Sequence, residues 1–191
     1  LTQYQIPWPN VKAVLITHMH SDHMADLPDA HLQSWIQGRT APLKVFGPEG
    51  INLVTKGFEL AYSADYQYRS DHHGDDMLPM SIAGFDAIQI IDNQLISNDT
   101  PGLEILPFVV DHHPVNSAFG FKISYKGRTV VISGDTIHDG SVQKYSKDVD
   151  LLVHSAISID IVERMRDLAP IPQMDKILLD IQAVSYTHLT L

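Results

Sequence analysis

Cysteine is missing from all 191 residues of the chain, so no disulfide framework, thiolate ligand or thiol nucleophile is available to it. Its absence says nothing about redox compartment. Long apolar runs are missing too: no stretch approaches the roughly 18 unbroken apolar residues of a membrane helix. Basic residues are scarce, 13 Lys and Arg against 23 Asp and Glu, for a formal net charge of −10. They are scattered, where a surface that tracks phosphates needs a stripe. Internal repeats, low-complexity tracts and linker-like composition are also lacking. What is left is 44% hydrophobic, enough for a core, and the length suits one domain.

Histidine is where the chain is rich. The apolar run Val11-Lys12-Ala13-Val14-Leu15-Ile16 reads as a strand, and it ends in Thr17-His18-Met19-His20-Ser21-Asp22-His23. Three imidazoles and a carboxylate in six residues repel or compete unless a cation sits among them. His18 and His20, two apart, face the same way if strand periodicity persists. Asp22 and His23 come after the chain turns and can address a second point. Imidazole nitrogen and carboxylate oxygen are ligands that zinc prefers, and histidine also suits iron. A polar surface loop that happens to be His-rich is the plain alternative, and the partners downstream argue against it.

Two such partners follow. Phe108-Val109-Val110-Asp111-His112-His113-Pro114 is an apolar run that ends in histidine, before a strand-like Ala118–Ile123 and a hairpin signal at Lys126-Gly127. Thr129-Val130-Val131-Ile132 then runs into Ser133-Gly134-Asp135-Thr136, where a buried strand meets a Gly-Asp turn. Candidate helices cover Asp29 to Gln37 (closed by Gly38), Glu49 to Tyr62, and Ile159 to Leu168. The polar stretch Asp71-His72-His73-Gly74-Asp75-Asp76 reads as a solvated loop.

The string from Leu15 to His23, followed by Asp26-Leu27-Pro28, resembles the signature loop of the metallo-β-lactamase superfamily. It is most similar to the branch with ribonuclease Z, phosphodiesterases and arylsulfatase-like enzymes. The resemblance extends from about Pro9 to about Ile181. It implies an α/β fold, the αββα sandwich, over a partial domain of residues 1–182. It also implies a binuclear site for two Zn2+ ions, with Mn2+ or Fe2+ as alternatives. By that resemblance His18, His20 and His112 hold one ion, Asp22 and His23 part of the second, and Asp135 bridges both. The spacing to Pro114 selects His112 over His113. A metal-bridging hydroxide would attack the ester, with Asp22 orienting it. The lack of Cys excludes the variants with a thiolate at the second metal. One departure is Val153-His154-Ser155-Ala156, where the family typically reads His-Glu-Ala; Ser155 leaves the leaving-group acid unassigned. The Asp71–Asp76 stretch resembles a His-His-Gly segment of the arylsulfatase-like branch.

Charge then steers the expected substrate. Only residues 113–134, 22 in all, separate His112 from Asp135, too few for a tRNA-docking arm there. The acidic balance points the same way. The expectation is therefore a zinc-dependent hydrolase of small anionic esters, sulfate or phosphate, with nucleic acid an unlikely partner, no membrane association and a homodimer left open. The alternatives are ribonuclease Z-like tRNA 3′ processing, a metal-binding but catalytically silent protein, and a mono-iron dioxygenase. The chain starts at Leu1, where the resemblance expects earlier strands. Its tail, 183–191, looks unlike the family and similar to translated adapter sequence, with His188 in a Thr-His-Leu that mimics a last ligand motif. A fragment is expected. Cytoplasm is the default location, with the periplasm open.

Overall fold

Val14 and Leu15 are the centre of the first strand, β1 (Ala13–Leu15), which pairs in parallel with β2 (Leu43–Gly47). The computed structural model describes residues 6–137 and 140–184, which form two units, up to Ile90 and from Ile91. In the first unit β3 (Phe85–Gln89) joins the other edge of β2, making an all-parallel sheet of order β1-β2-β3. Parallel strands need long crossovers, and two helices supply them: α1 (Leu27–Ile36) between β1 and β2, and α2 (Ile51–His73) between β2 and β3. Pro28 sits in the first turn of α1, where its missing N–H is harmless. Ile16, Leu27, Leu43, Val45 and Ile51 form the core between sheet and helices. A second cluster of Trp35, Tyr66, Leu78 and Ala83 closes the far end of α1.

Helix α2 runs 11 residues past the expected end at Tyr62, and Asp71, His72 and His73 form its last turn rather than a loop. Nothing after Tyr62 breaks a helix until Gly74, at φ 92°. Pairs one turn apart hold the extension: Arg69 with Asp65 at 2.7 Å, and the Gln67 amide donating to Asp71 at 2.7 Å.

The second unit is a four-stranded sheet of order β4-β5-β6-β7. Its strands are β4 (Glu104–His112), β5 (Val115–Tyr125), β6 (Arg128–Ile132) and β7 (Leu151–Val153). The β4-β5 and β5-β6 pairs are antiparallel and β6-β7 is parallel. Lys126 and Gly127, at φ 50° and 74°, make the two-residue turn of the expected hairpin. Phe108, Val110, Ala118, Val131 and Val142 form the core, and Phe108 stacks on Tyr145 with ring centroids 4.3 Å apart. Gly120 lies opposite Phe108 because a side chain there would overlap the ring. Helices α3 (Ser141–Tyr145), α4 (Ile159–Asp167) and α5 (Pro172–Val184) complete the unit. Ser158 caps α4 by accepting from the Ile161 N–H.

The protein is thus mixed α/β with two sheets, as expected. Among the described residues no helix is long and apolar enough to cross a membrane. His188 lies outside the described residues.

Candidate metal centre

The first unit delivers the histidines from the carboxyl end of β1. The Ile16 N–H still bonds to the Phe46 carbonyl at 2.8 Å, so the chain is held to β2 until just before His18. His18 is completely buried. The Thr17 hydroxyl lies 3.1 Å from its Nδ1, and its Nε2 lies 2.9 Å from Nδ1 of His20. Residues Ser21–His23 then form a single 3-10 turn, closed by the His23 N–H on the His20 carbonyl at 3.1 Å. That turn returns the His23 ring to within 4.1 Å of the His18 ring, and the His20 ring lies 4.7 Å from it. The rings of His20 and His23 therefore both pack against that of His18. Two imidazole nitrogens 2.9 Å apart must share a proton unless a cation takes both lone pairs. The donor set is the one zinc favours, so the residues fit a divalent ion.

Asp22 lies at the edge of this cluster. Its side chain is 80% exposed, with Oδ2 3.6 Å from His23 Nε2.

In the second unit His112 ends β4, half-buried, with Asp111 and His113 exposed on either side. The His113 backbone N–H donates to the Asp111 carboxylate at 3.1 Å. Asp135, also half-buried, follows β6 on the turn made by Gly134 at φ 64°. Just beyond it the Ile137 N–H reaches the Asp111 carbonyl at 2.8 Å. The loop of Asp135 is thereby tied to the strand end that carries His112. Nearby, the Ser155 N–H donates to the Ser133 hydroxyl at 3.1 Å, and His154 Nδ1 lies 2.6 Å from the Ser155 carbonyl. At the departure from the family pattern, then, Ser155 works through its backbone.

Sequence reasoning passes over a buried polar cluster behind the first unit's histidine loop. His31, on α1, is completely buried, stacked on Phe85 at 4.0 Å, with its Nδ1 3.3 Å from the Tyr66 hydroxyl. Burial, aided by the nearby Arg39 cation, pushes its pKa down to about 4. Among the described residues its Nε2 has no hydrogen-bond partner, though the carbonyls of Ala83 and Gly84 lie close enough to offset part of that shift. Arg39 donates from Nη1 to the His31 carbonyl (3.3 Å) and the Ser34 hydroxyl (2.9 Å), and from Nη2 to the carbonyls of Ile82 (2.7 Å) and Gly84 (3.2 Å). Burial lowers its pKa to about 10 and raises that of Tyr66. The guanidinium thus sits at the negative end of α1 and pins it to the segment before β3. A lone Arg behind Gly38 is the only sequence trace of this arrangement.

The sequence matches the Metallo-beta-lactamase superfamily over residues 1–173. Curated relatives include the ribonuclease Z of Mycolicibacterium gilvum, 32% identical over 166 residues, which cover 83% of this chain and 56% of that protein. The ribonuclease Z of Mycobacterium bovis is 34% identical over 166 residues, covering 83% and 58%. The chain spans a little over half the length of these relatives. Among solved structures, the short form of human tRNase Z has a TM-score of 0.54 at 21% identity, covering 94% of this chain and 71% of that one. A metallo-beta-lactamase fold protein from Bacillus subtilis has a TM-score of 0.54 at 20% identity, covering 79% and 52%. These two show a shared fold.

The expectation that nucleic acid is an unlikely partner is corrected by the curated relatives, which are named for cleaving RNA. The preference for small anionic esters over RNA falls with it. Net charge sums over the whole surface, whereas a phosphate held at divalent ions responds to the local field. The spacing between His112 and Asp135 bears on one insertion point only.

Proposed function

Because the chain belongs to the metallo-beta-lactamase superfamily, we propose that the protein is a metal-dependent phosphodiester hydrolase that processes the 3′ side of tRNA precursors, as a ribonuclease Z does. The observation that carries this reading is the packing of the His20 and His23 rings against the buried His18, in a chain that aligns with curated ribonuclease Z proteins over 166 residues. His18 and His20, with His112, would hold one divalent ion, zinc by preference. Asp22 and His23 would contribute to a second, and Asp135 would bridge the two. Such ions supply Lewis acidity, bringing a water's pKa toward neutrality and offsetting charge on phosphate oxygens.

The chain's own residues have separate tasks. The buried His18, bonded to Thr17 and His20, gives the rigid ligand position. The exposed Asp22 would accept a hydrogen bond from the attacking water and orient it, a role its open carboxylate supports. His154 donates from Nδ1 to the Ser155 carbonyl, which holds its ring just past the end of β7.

A tRNA precursor with a 3′ trailer tests the proposal, using the protein expressed from its whole reading frame. The expected result is a discrete trailer product, lost with EDTA and restored by Zn2+ or Mn2+. Bound metal with an uncut precursor would overturn it. Turnover of an aryl sulfate under those conditions would assign another ester, and no turnover would indicate a silent metal protein.

A further inference from the structure

We propose that Thr136 is a positioning residue for the candidate centre, setting the separation of Asp135 and His112 through its hydroxyl. The inference rests on the metal-site reading above. It starts from the carbonyl of Asp111, one residue before His112. That oxygen accepts the Ile137 N–H at 2.8 Å and lies 3.1 Å from the Thr136 hydroxyl. The donors are the two residues that follow Asp135. The end of β4 and the turn after β6 are therefore stitched at one atom, with a proposed ligand next to the stitch on each side.

The hydroxyl has one proton, and the Ile137 carbonyl, at 2.8 Å, also lies within its reach. Donated to the Asp111 carbonyl, the proton ties the turn to β4; donated to the Ile137 carbonyl, it only closes the turn on itself and leaves the tie to the Ile137 N–H. Thr136 is 6% exposed. A valine would fill that volume without a hydroxyl to desolvate. A buried hydroxyl here is explained by the bond it makes.

Ser133 brackets Asp135 from the other side. It is fully buried, donates to the Gly134 carbonyl at 2.6 Å, and accepts from the Ser155 N–H at 3.1 Å. Between the two hydroxyls Gly134 makes its turn at φ 64°. A surface Gly-Asp turn needs neither bracket. A carboxylate that must stay in register with an imidazole on another strand needs both, because outer contacts of this kind orient ligands.

The test compares T136V, which keeps volume and loses the donor, with T136S, which keeps the donor. The Zn2+ dissociation constant is measured by competition with a chromophoric chelator at near-neutral pH, and the melting temperature of the metal-free protein is recorded alongside. Losing an outer contact typically weakens a metal site by about tenfold or more, so T136V should lose about tenfold in Zn2+ affinity while T136S stays within about twofold of the parent. A packing role predicts the reverse: both variants melt lower and bind Zn2+ equally well. Parent-like Zn2+ affinity in T136V, or an equal loss in T136S, overturns the inference. Should T136V fail to fold, T136A is read against T136S, and equal affinities of that pair overturn it too. A parent that binds no Zn2+ overturns the metal-site reading itself, and this inference with it.

Discussion

His31 shows how one side chain can set the acid limit of the first unit. It is neutral in the folded protein, with its pKa down at about 4 through burial and the Arg39 cation. In the unfolded chain the same imidazole titrates near its ordinary value of about 6.5. Below that pH the unfolded state takes up a proton that the folded state refuses. Stability is therefore complete above about pH 6.5 and drains away as pH falls, by about 2 kcal/mol at pH 5 and about 3 at pH 4. The groups facing the ring cannot absorb the charge. Tyr66 from α2 and Phe85 from β3 are neutral, and Arg39 is a cation. His31→Gln should lower the melting temperature at pH 7 but flatten its decline toward pH 5, measured on metal-free protein so that the ligand histidines contribute equally to both. Parallel pH profiles for parent and variant would show that His31 is not the titrating group.

At the scale of elements, the β4-β5 pairing carries His112 at its end, and Gly120 is packed tightly against Phe108 within it. An added Cβ would lie 2.5 Å from Phe108 Cζ and 3.0 Å from the Ile132 carbonyl. Phe108 cannot retreat, since it is fully buried against Tyr145. Overpacking of this kind typically costs 1–3 kcal/mol, so Gly120→Ala should destabilise by about 2 kcal/mol in urea unfolding. A shift below about 0.5 kcal/mol would mean that the ring moves aside freely. Because β4 ends in His112, strain at Phe108 should also reach the metal site. Much at this scale was legible beforehand: the strand before the histidines, the Lys126-Gly127 hairpin and the helix at Ile159 all announce themselves by period and turn chemistry. The length of α2 does not. Its last turn is written in Asp, His and Ser, residues as common in loops, and burial of Tyr66 and Ser70 with the Asp65–Arg69 and Gln67–Asp71 pairs supports the helix there.

For the whole molecule the decisive quantity is bound metal. His20 Nδ1 lies 2.9 Å from His18 Nε2, and on the proposed ligand set His20→Ala would leave an underbound ion. Mass spectrometry of the purified protein should show about one zinc ion fewer per chain in the variant, along with lost cleavage of precursor tRNA. If the variant kept parent-like metal and activity, the ligand assignment would be wrong. Loading should fall in acid for parent and variant alike, since imidazole binds metal only when neutral.

The sequence by itself determined the family, the mixed α/β class and the ligand candidates. Each of these depends on residue type and short-range spacing, which a single chain displays directly. The resemblance also suggested an RNA-processing alternative, but a chain-wide charge sum steered away from it. Charge averaged over a sequence carries no information about where on the surface it acts. The tertiary structure alone decided that Asp22 is exposed and faces His23, and that His31 is buried neutral beside an arginine. It alone showed that the hydroxyl of Thr136 and the N–H of Ile137 meet at the Asp111 carbonyl. Those contacts join residues up to 26 positions apart, and such meetings are fixed by how strands and helices pack.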